Sequence, residues 1–192
     1  ITNSYVIMIK QYSIEELKAE FAKHGYAFTN FHLVGIRSKA NLKNQFDDLI
    51  AVINNNEITW YTCTTNPGTH WLQNLLNPKG AALLKPGQWK DCWHVGMHQG
   101  KYEALGQAKN VKVYRDANKD LTYNEDKIQE GVFGINIHKA GADSTYVENW
   151  SEGCQVFKKS ADFDAFMAIC RKSKDIHGNS FTYTLIESTD IK

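Results

Sequence analysis

Short apolar runs, cut apart by turn formers, constrain this chain more than any other feature. From residue 81 onward "AALL", "CWHVGM", "VKVY", "GVFGINIH" and "CQVF" alternate with Gly, Pro, Asn or Asp. Runs of this length suit strands and are too short for independent helices, so the spacing predicts a sheet-dominated fold. Upstream, "FHLVGIR" (31–37) reads as a buried strand, and "FDDLIAVINNNEITWYTCTT" as two strands around an Asn-rich hairpin turn. Asn66-Pro67-Gly68 then breaks the ladder.

Two stretches carry helical spacing instead. "SIEELKAEFAKHGY" opens with Ser13 and Glu16 in capping-box positions, places Ile14, Leu17 and Phe21 on one face, and stops at Gly25. In "SADFDAFMAICRKSKDIHG", Phe163, Phe166, Met167 and Cys170 share a face, with Ser160 as the expected N-cap and Gly178 as the stop. "SFTYTLIE" supplies a last strand. The expected fold is mainly β with flanking helices (α+β). Residues 1–66 would form a helix and hairpin extension packed on a core of residues 67–192, within one compact unit.

Composition removes several functions. Among 192 residues, 22 basic side chains face 21 acidic ones, and a net charge of +1 offers no field for nucleic acid or an anionic membrane. No stretch approaches the roughly 18 consecutive apolar residues of a membrane span. The four cysteines, at 63, 92, 154 and 170, lie far apart without CxxC pairs, so free thiols are expected rather than a disulfide scaffold or zinc finger. Aromatic content of 12% suits a sheet-rich core, where Trp89 and Trp93 are expected to pack. The opening "ITNSYVIMIKQYS" has no leader pattern and no initiator Met, which leaves the compartment open.

Chemistry concentrates in "GVFGINIHKAG" (131–141) and "WSEGCQVF" (150–157). A thiol with a pKa near 8.5 is only a few per cent thiolate at neutral pH, so a nucleophilic cysteine needs an imidazole or amide dipoles beside it. His138 ends an apolar run, and the loop after it is long enough to return Cys154 to its side. Gly153 lacks a Cβ, so amides of the Gly-Cys turn could approach a developing oxyanion.

These two segments resemble the active-site signature of the L,D-transpeptidase (YkuD-type) family, in which a glycine-rich strand ends in His and a Ser/Thr-x-Gly-Cys segment follows. "NPGTHWLQNLLNPKGAALLKPGQW" and "HQGKYEAL" also look like segments of phage- and prophage-type proteins carrying this His/Cys pair. The resemblance implies a YkuD-like β-sandwich or barrel, no cofactor, and action on peptidoglycan stem peptides at a cell-wall-facing or phage-associated location. It makes Cys154 the nucleophile, His138 the base, Ser151 a support for the His or the turn, and the Gly153 and Cys154 amides the oxyanion donors. Glu152 and "QVF" stand where the family commonly has His and an Arg-containing stretch, and both hydrolysis and transpeptidation stay open.

Other residues invite binding roles. His98, in the family-like "HxGKY" segment, is a substrate-groove candidate, and Asn136 belongs to the same set. Arg115 follows "VKVY" and could meet a substrate carboxylate or form a structural ion pair. Trp150 could wall the pocket or anchor its loop. His94 and His98, four apart, would suit zinc on a helix, with His138 as a third ligand in a zinc-peptidase alternative; Gly96 and the apolar neighbours favour a strand. Asp116, Asn118 and Asp120 alternate as a calcium loop begins, although Leu121 replaces the expected Gly and Lys127 stands at position twelve. A solvated acidic turn is the simpler reading.

Overall fold

The computed structural model describes residues 10–38, 44–68, 70, 80–116, 127–141, 145–147, 150–188 and 191. Eleven strands and two helices are seen among them, in a mainly β, α+β architecture. The helices are α1 (Ile14–His24) and α2 (Ser160–His177). In the first part of the chain the strands are β1 (Phe31–Arg37), β2 (Asp48–Asn54), β3 (Glu57–Thr64) and β4 (Ala81–Leu84). Then follow β5 (Gly87–His98), β6 (Tyr102–Gln107), β7 (Val111–Asp116) and β8 (Ile128–Gly131). The last three are β9 (Ile137–Lys139), β10 (Gln155–Phe157) and β11 (Phe181–Glu187). None of the described helices is long and apolar enough to cross a membrane.

Eight strands close a barrel in the order β1-β11-β5-β6-β9-β10-β3-β2, and β4-β7-β8 form a separate small sheet. Strands from the first 66 residues are therefore three of the barrel's staves, not an addition to a finished core. β1 runs parallel to β11, with Leu33 opposite Tyr183, while β10 pairs antiparallel with β3. Local sequence patterns carry no trace of pairings this distant, which is why the stretch read as an extension.

Alternation along each stave separates two environments. Leu33, Trp93, Leu105, Ile137, Phe157 and Tyr183 belong to one apolar core, to which α2 adds Phe163, Phe166, Met167 and Cys170. Val34, Ile36, Ala51 and Ile53 pack with Leu17 and Phe21 of α1 in a second cluster. Burying each of those two α1 side chains contributes roughly 1.5–3 kcal/mol. The Ser13/Glu16 capping box forms as the spacing predicts, and Gly25 caps the C-terminus in the left-handed region. At α2 the N-cap is Lys159 with no side-chain bond, so Ser160 is the first helical residue.

"GVFGINIH" departs from its expected single strand. β8 ends at Gly131 and β9 begins at Ile137, with Gly134 at φ 71° between them, a conformation that glycine adopts without the Cβ penalty. The gap is held by Gln107, whose Oε1 accepts from the N–H groups of Phe133 (3.1 Å) and Ile135 (2.9 Å). Its Nε2 donates to the carbonyls of Lys109 (2.8 Å) and Gly131 (2.9 Å). One buried amide thus does the work of a missing strand partner and frees the backbone of 132–136 to shape a cleft.

Candidate functional site

The parallel pair β9–β10 sets Gln155 opposite Ile137 and Val156 opposite His138. Because side chains alternate, Ile137 and Phe157 point to the core while His138 and Val156 point outward. Cys154, one residue before β10, packs beside Val156 on that outer side. There a cleft of about 950 Å³ opens, and Cys154, His138, His98, Asn136, Arg115 and Trp150 all line it. Tyr102 and Glu152 line it too. The segments that sequence reading had coupled therefore meet in space.

The turn that presents Cys154 is built from three directions. Ser151, fully buried, donates from Oγ to the Cys154 carbonyl (2.8 Å) and accepts from the Gly153 N–H (3.2 Å). Gln155, inside the barrel, accepts from the Tyr183 hydroxyl (2.9 Å) and donates to the Gly153 carbonyl (3.3 Å). Gly153 itself sits at φ 123°, and a Cβ there would collide with the Ala82 carbonyl oxygen of the small sheet. Only glycine fits.

This overturns one expectation. The Gly153 amide, expected as an oxyanion donor, is already committed to Ser151. Ser151 accordingly supports the turn. The sulfur of Cys154 accepts instead from the Asn136 N–H (3.4 Å) and donates to the Gly134 carbonyl (3.3 Å). Burial pushes the thiol up to about 11, against the lowering pull of the Asn136 amide, and Glu152 nearby raises it further. The resting sulfur is protonated.

His138 is 5% exposed and donates from Nδ1 to the carbonyl of Lys139 (2.9 Å). That bond fixes the proton on Nδ1 and leaves Nε2 as a lone-pair base. Burial pushes the imidazole down to about 4, the Lys139 carbonyl opposes the shift, and His98 adds to it. The ring is therefore neutral near pH 7, and the resting pair is thiol and imidazole rather than thiolate and imidazolium.

His98 lies over His138, ring centroids 4.4 Å apart and planes 16° from parallel. It stands at the end of β5, where Gln99 (φ 51°) and Gly100 (φ 68°) turn the chain into β6 and the Lys101 N–H donates to the His98 carbonyl. Asn136 Nδ2 approaches His98 Nδ1 at 3.4 Å, while Asn136 Oδ1 accepts from the Gln107 N–H at 3.0 Å. The Asn136 amide is thus a strut between strands. Tyr102, 5.4 Å from His98 between ring centroids, donates its hydroxyl to the Lys139 carbonyl (3.3 Å).

Arg115 is buried in the cleft wall. It donates to Gln129 Oε1 (3.0 Å) and the Gly80 carbonyl (2.9 Å), and its guanidinium lies 5.1 Å from the Phe133 ring centre. These contacts make it a brace between the small sheet and the 132–136 segment. Trp150, 36% exposed, rests its ring where a Gly141 Cβ would stand, and so walls the cleft and pins its loop together.

The zinc reading does not survive the geometry. His94 and His98 lie on a strand, where four residues span about 13 Å, too far for one zinc ion. His98 and His138 stack face to face, and ring lone pairs lie in the ring planes, so they do not converge. Asp116 is buried at the end of β7, and Asn118 and Asp120 lie outside the described residues. No group of three or more His, Cys, Asp or Glu side chains among the described residues could hold a metal ion.

Sequence reasoning missed Gln107, Gln155 and Tyr102. Only Tyr102 left a signal, as the last residue of "HxGKY". Fold and site together define a mainly β barrel with a Cys–His cleft on its outer wall. Compared with models of known families and with curated proteins, the chain matches none.

Proposed function

We propose that this cleft is the active site of a cysteine-dependent acyl-transfer enzyme acting on peptidoglycan stem peptides, in the manner of the L,D-transpeptidases it resembles. One juxtaposition supports the reading: a thiol just before β10 and a neutral imidazole on the adjacent parallel β9 line one cleft, each held by a backbone bond. As Cys154 Sγ attacks a peptide carbonyl, His138 Nε2 takes the thiol proton. The sulfur–carbon bond forms, the carbon–nitrogen bond breaks, and the amine leaves with that proton. Water then resolves the thioester by hydrolysis, or a second amine by cross-linking. With the thiol near 11 and the imidazole near 4, the proton moves only as the new bond forms. Lys101, exposed on the cleft, is the cation a peptide carboxylate would meet now that Arg115 is committed to the wall.

The high thiol pKa favours one other reading, a non-catalytic cell-wall- or virion-associated module with the same YkuD-like fold. Mass spectrometry of purified muropeptides separates the two. A product formed by the wild type and absent with Cys154→Ala supports the enzyme. No product, together with iodoacetamide labelling of Cys154 no faster than Cys63, Cys92 or Cys170, supports the structural module.

A further inference from the structure

The Gly153 amide, one of the two expected oxyanion donors, is committed to Ser151, and the two stacked imidazoles in the cleft differ in where they carry their protons. A backbone N–H can only donate, so the Gln107 amide fixes Oδ1 of Asn136 as acceptor and Nδ2 as donor. Nδ2 faces Nδ1 of His98, which must then accept, and the His98 proton resides on Nε2. His138 is the reverse, with its proton on Nδ1. The two stacked rings, both lining the cleft, carry opposite polarity at Nε2: a lone pair on His138 and an N–H on His98. Neither Nε2 has a partner among the described residues.

We infer that His98 is a catalytic residue that donates from Nε2–H to the carbonyl oxygen of the acyl substrate while His138 takes the thiol proton. The inference rests on the acyl-transfer reading above and divides its labour between two rings. When Sγ bonds to the acyl carbon, the carbonyl π pair moves onto oxygen, and the His98 N–H stabilises that charge without giving up its proton. On collapse the pair returns, the leaving group departs, and the thiol's proton goes from His138 to it or to solvent. Asn136 and Gln107 are positioning residues in this scheme, since they set the His98 tautomer and touch no substrate.

The test uses p-nitrophenyl acetate, which acylates a reactive thiol whatever the natural substrate is, with Cys154→Ala as the blank. Replacing His98 by Phe keeps a ring against His138 but removes the donor. The Cys154-dependent burst of nitrophenolate should fall by about 100-fold in His98→Phe, and recover to within about tenfold of wild type in His98→Gln, which restores a side-chain N–H. Nitrogen-15 NMR of the histidine rings in the wild-type chain should place the proton on Nε2 of His98 and Nδ1 of His138, a readout independent of turnover and of how well any variant folds. A His98 proton on Nδ1, or a folded His98→Phe protein acylating within about threefold of wild type, overturns the inference. A burst that behaves as expected without any muropeptide product removes the stem-peptide substrate and leaves the role of His98 standing. A wild type with no Cys154-dependent burst overturns both.

Discussion

His32 and His138 are the same residue in nearly the same mechanical setting, and they end up with different capabilities. Each projects from the outer face of a barrel stave, and burial pushes each imidazole down to about 4. Around His32 the wall is roofed by α1 and the segment after it: the Phe21 ring meets it edge-on at 5.1 Å and Phe28 stacks over it at 6.3 Å. Both of its nitrogens are engaged, Nδ1 with Thr29 Oγ1 (3.2 Å) and Nε2 with Thr184 Oγ1 (2.7 Å). Thr29 gives its own proton to the Phe31 carbonyl, so it accepts from Nδ1, and Nε2 accepts from Thr184. His138 has the same tautomer, but its roof is another histidine, its ring lines the cleft, and its second nitrogen has no partner among the described residues. Burial alone makes a neutral imidazole; a lone pair without a partner, on a ring that shares a cleft with a thiol, is what the proposed base requires.

The sharpest way to break this contrast is to remove each ring in turn. His138→Ala should slow Cys154 acylation roughly 10³-fold, read as nitrophenolate release, because the thiol then has no proton acceptor. In His32→Ala the loss should appear as stability instead, about 3 kcal/mol in urea unfolding, from a cavity and the buried Thr184 hydroxyl left without its acceptor. Acylation per folded molecule should match wild type. Equal activity loss in both variants would erase the distinction.

Acid pH probes what the two histidines share. Their folded pKa values lie below the ordinary 6.5, so the unfolded chain binds protons first as pH falls. Stability is complete above about 6.5 and declines toward pH 4, with each ring contributing on the order of 3 kcal/mol to the loss. Urea unfolding at several pH values measures this. The acid limb of acylation, followed while the protein stays folded, should lie near 4 rather than 6.5, because only His138 must be neutral for the reaction. The smallest expected effect comes from Thr184→Val, which strands His32 Nε2: about 1–2 kcal/mol in stability and no change in acylation.

How much of this was legible in the sequence depends on the range of the interaction that decides each feature. The α1 capping box, the β2–β3 hairpin and the apolar face of α2 rest on neighbours within a few residues, and residue type alone announced them. The break between β8 and β9 depends on a Gln107 side chain from another strand, and barrel closure on β1 meeting β11. Neither leaves a local mark. The site divides in the same way: a histidine after an apolar run and a cysteine after a glycine were visible as reactive types. The diversion of the Gly153 amide to Ser151, the bracing of Arg115 and the stacking of His98 on His138 came only with three-dimensional packing.

The parallel seam between β1 and β11 joins the opening of the barrel to its last strand. During synthesis the ring cannot shut until Phe181–Glu187 has left the ribosome, so β9 and β10, though already made, wait on an unsealed sheet. The cleft wall that carries Cys154 and His138 thus belongs to a ring completed by β11, and a fragment beginning at residue 67 would lack three of its staves.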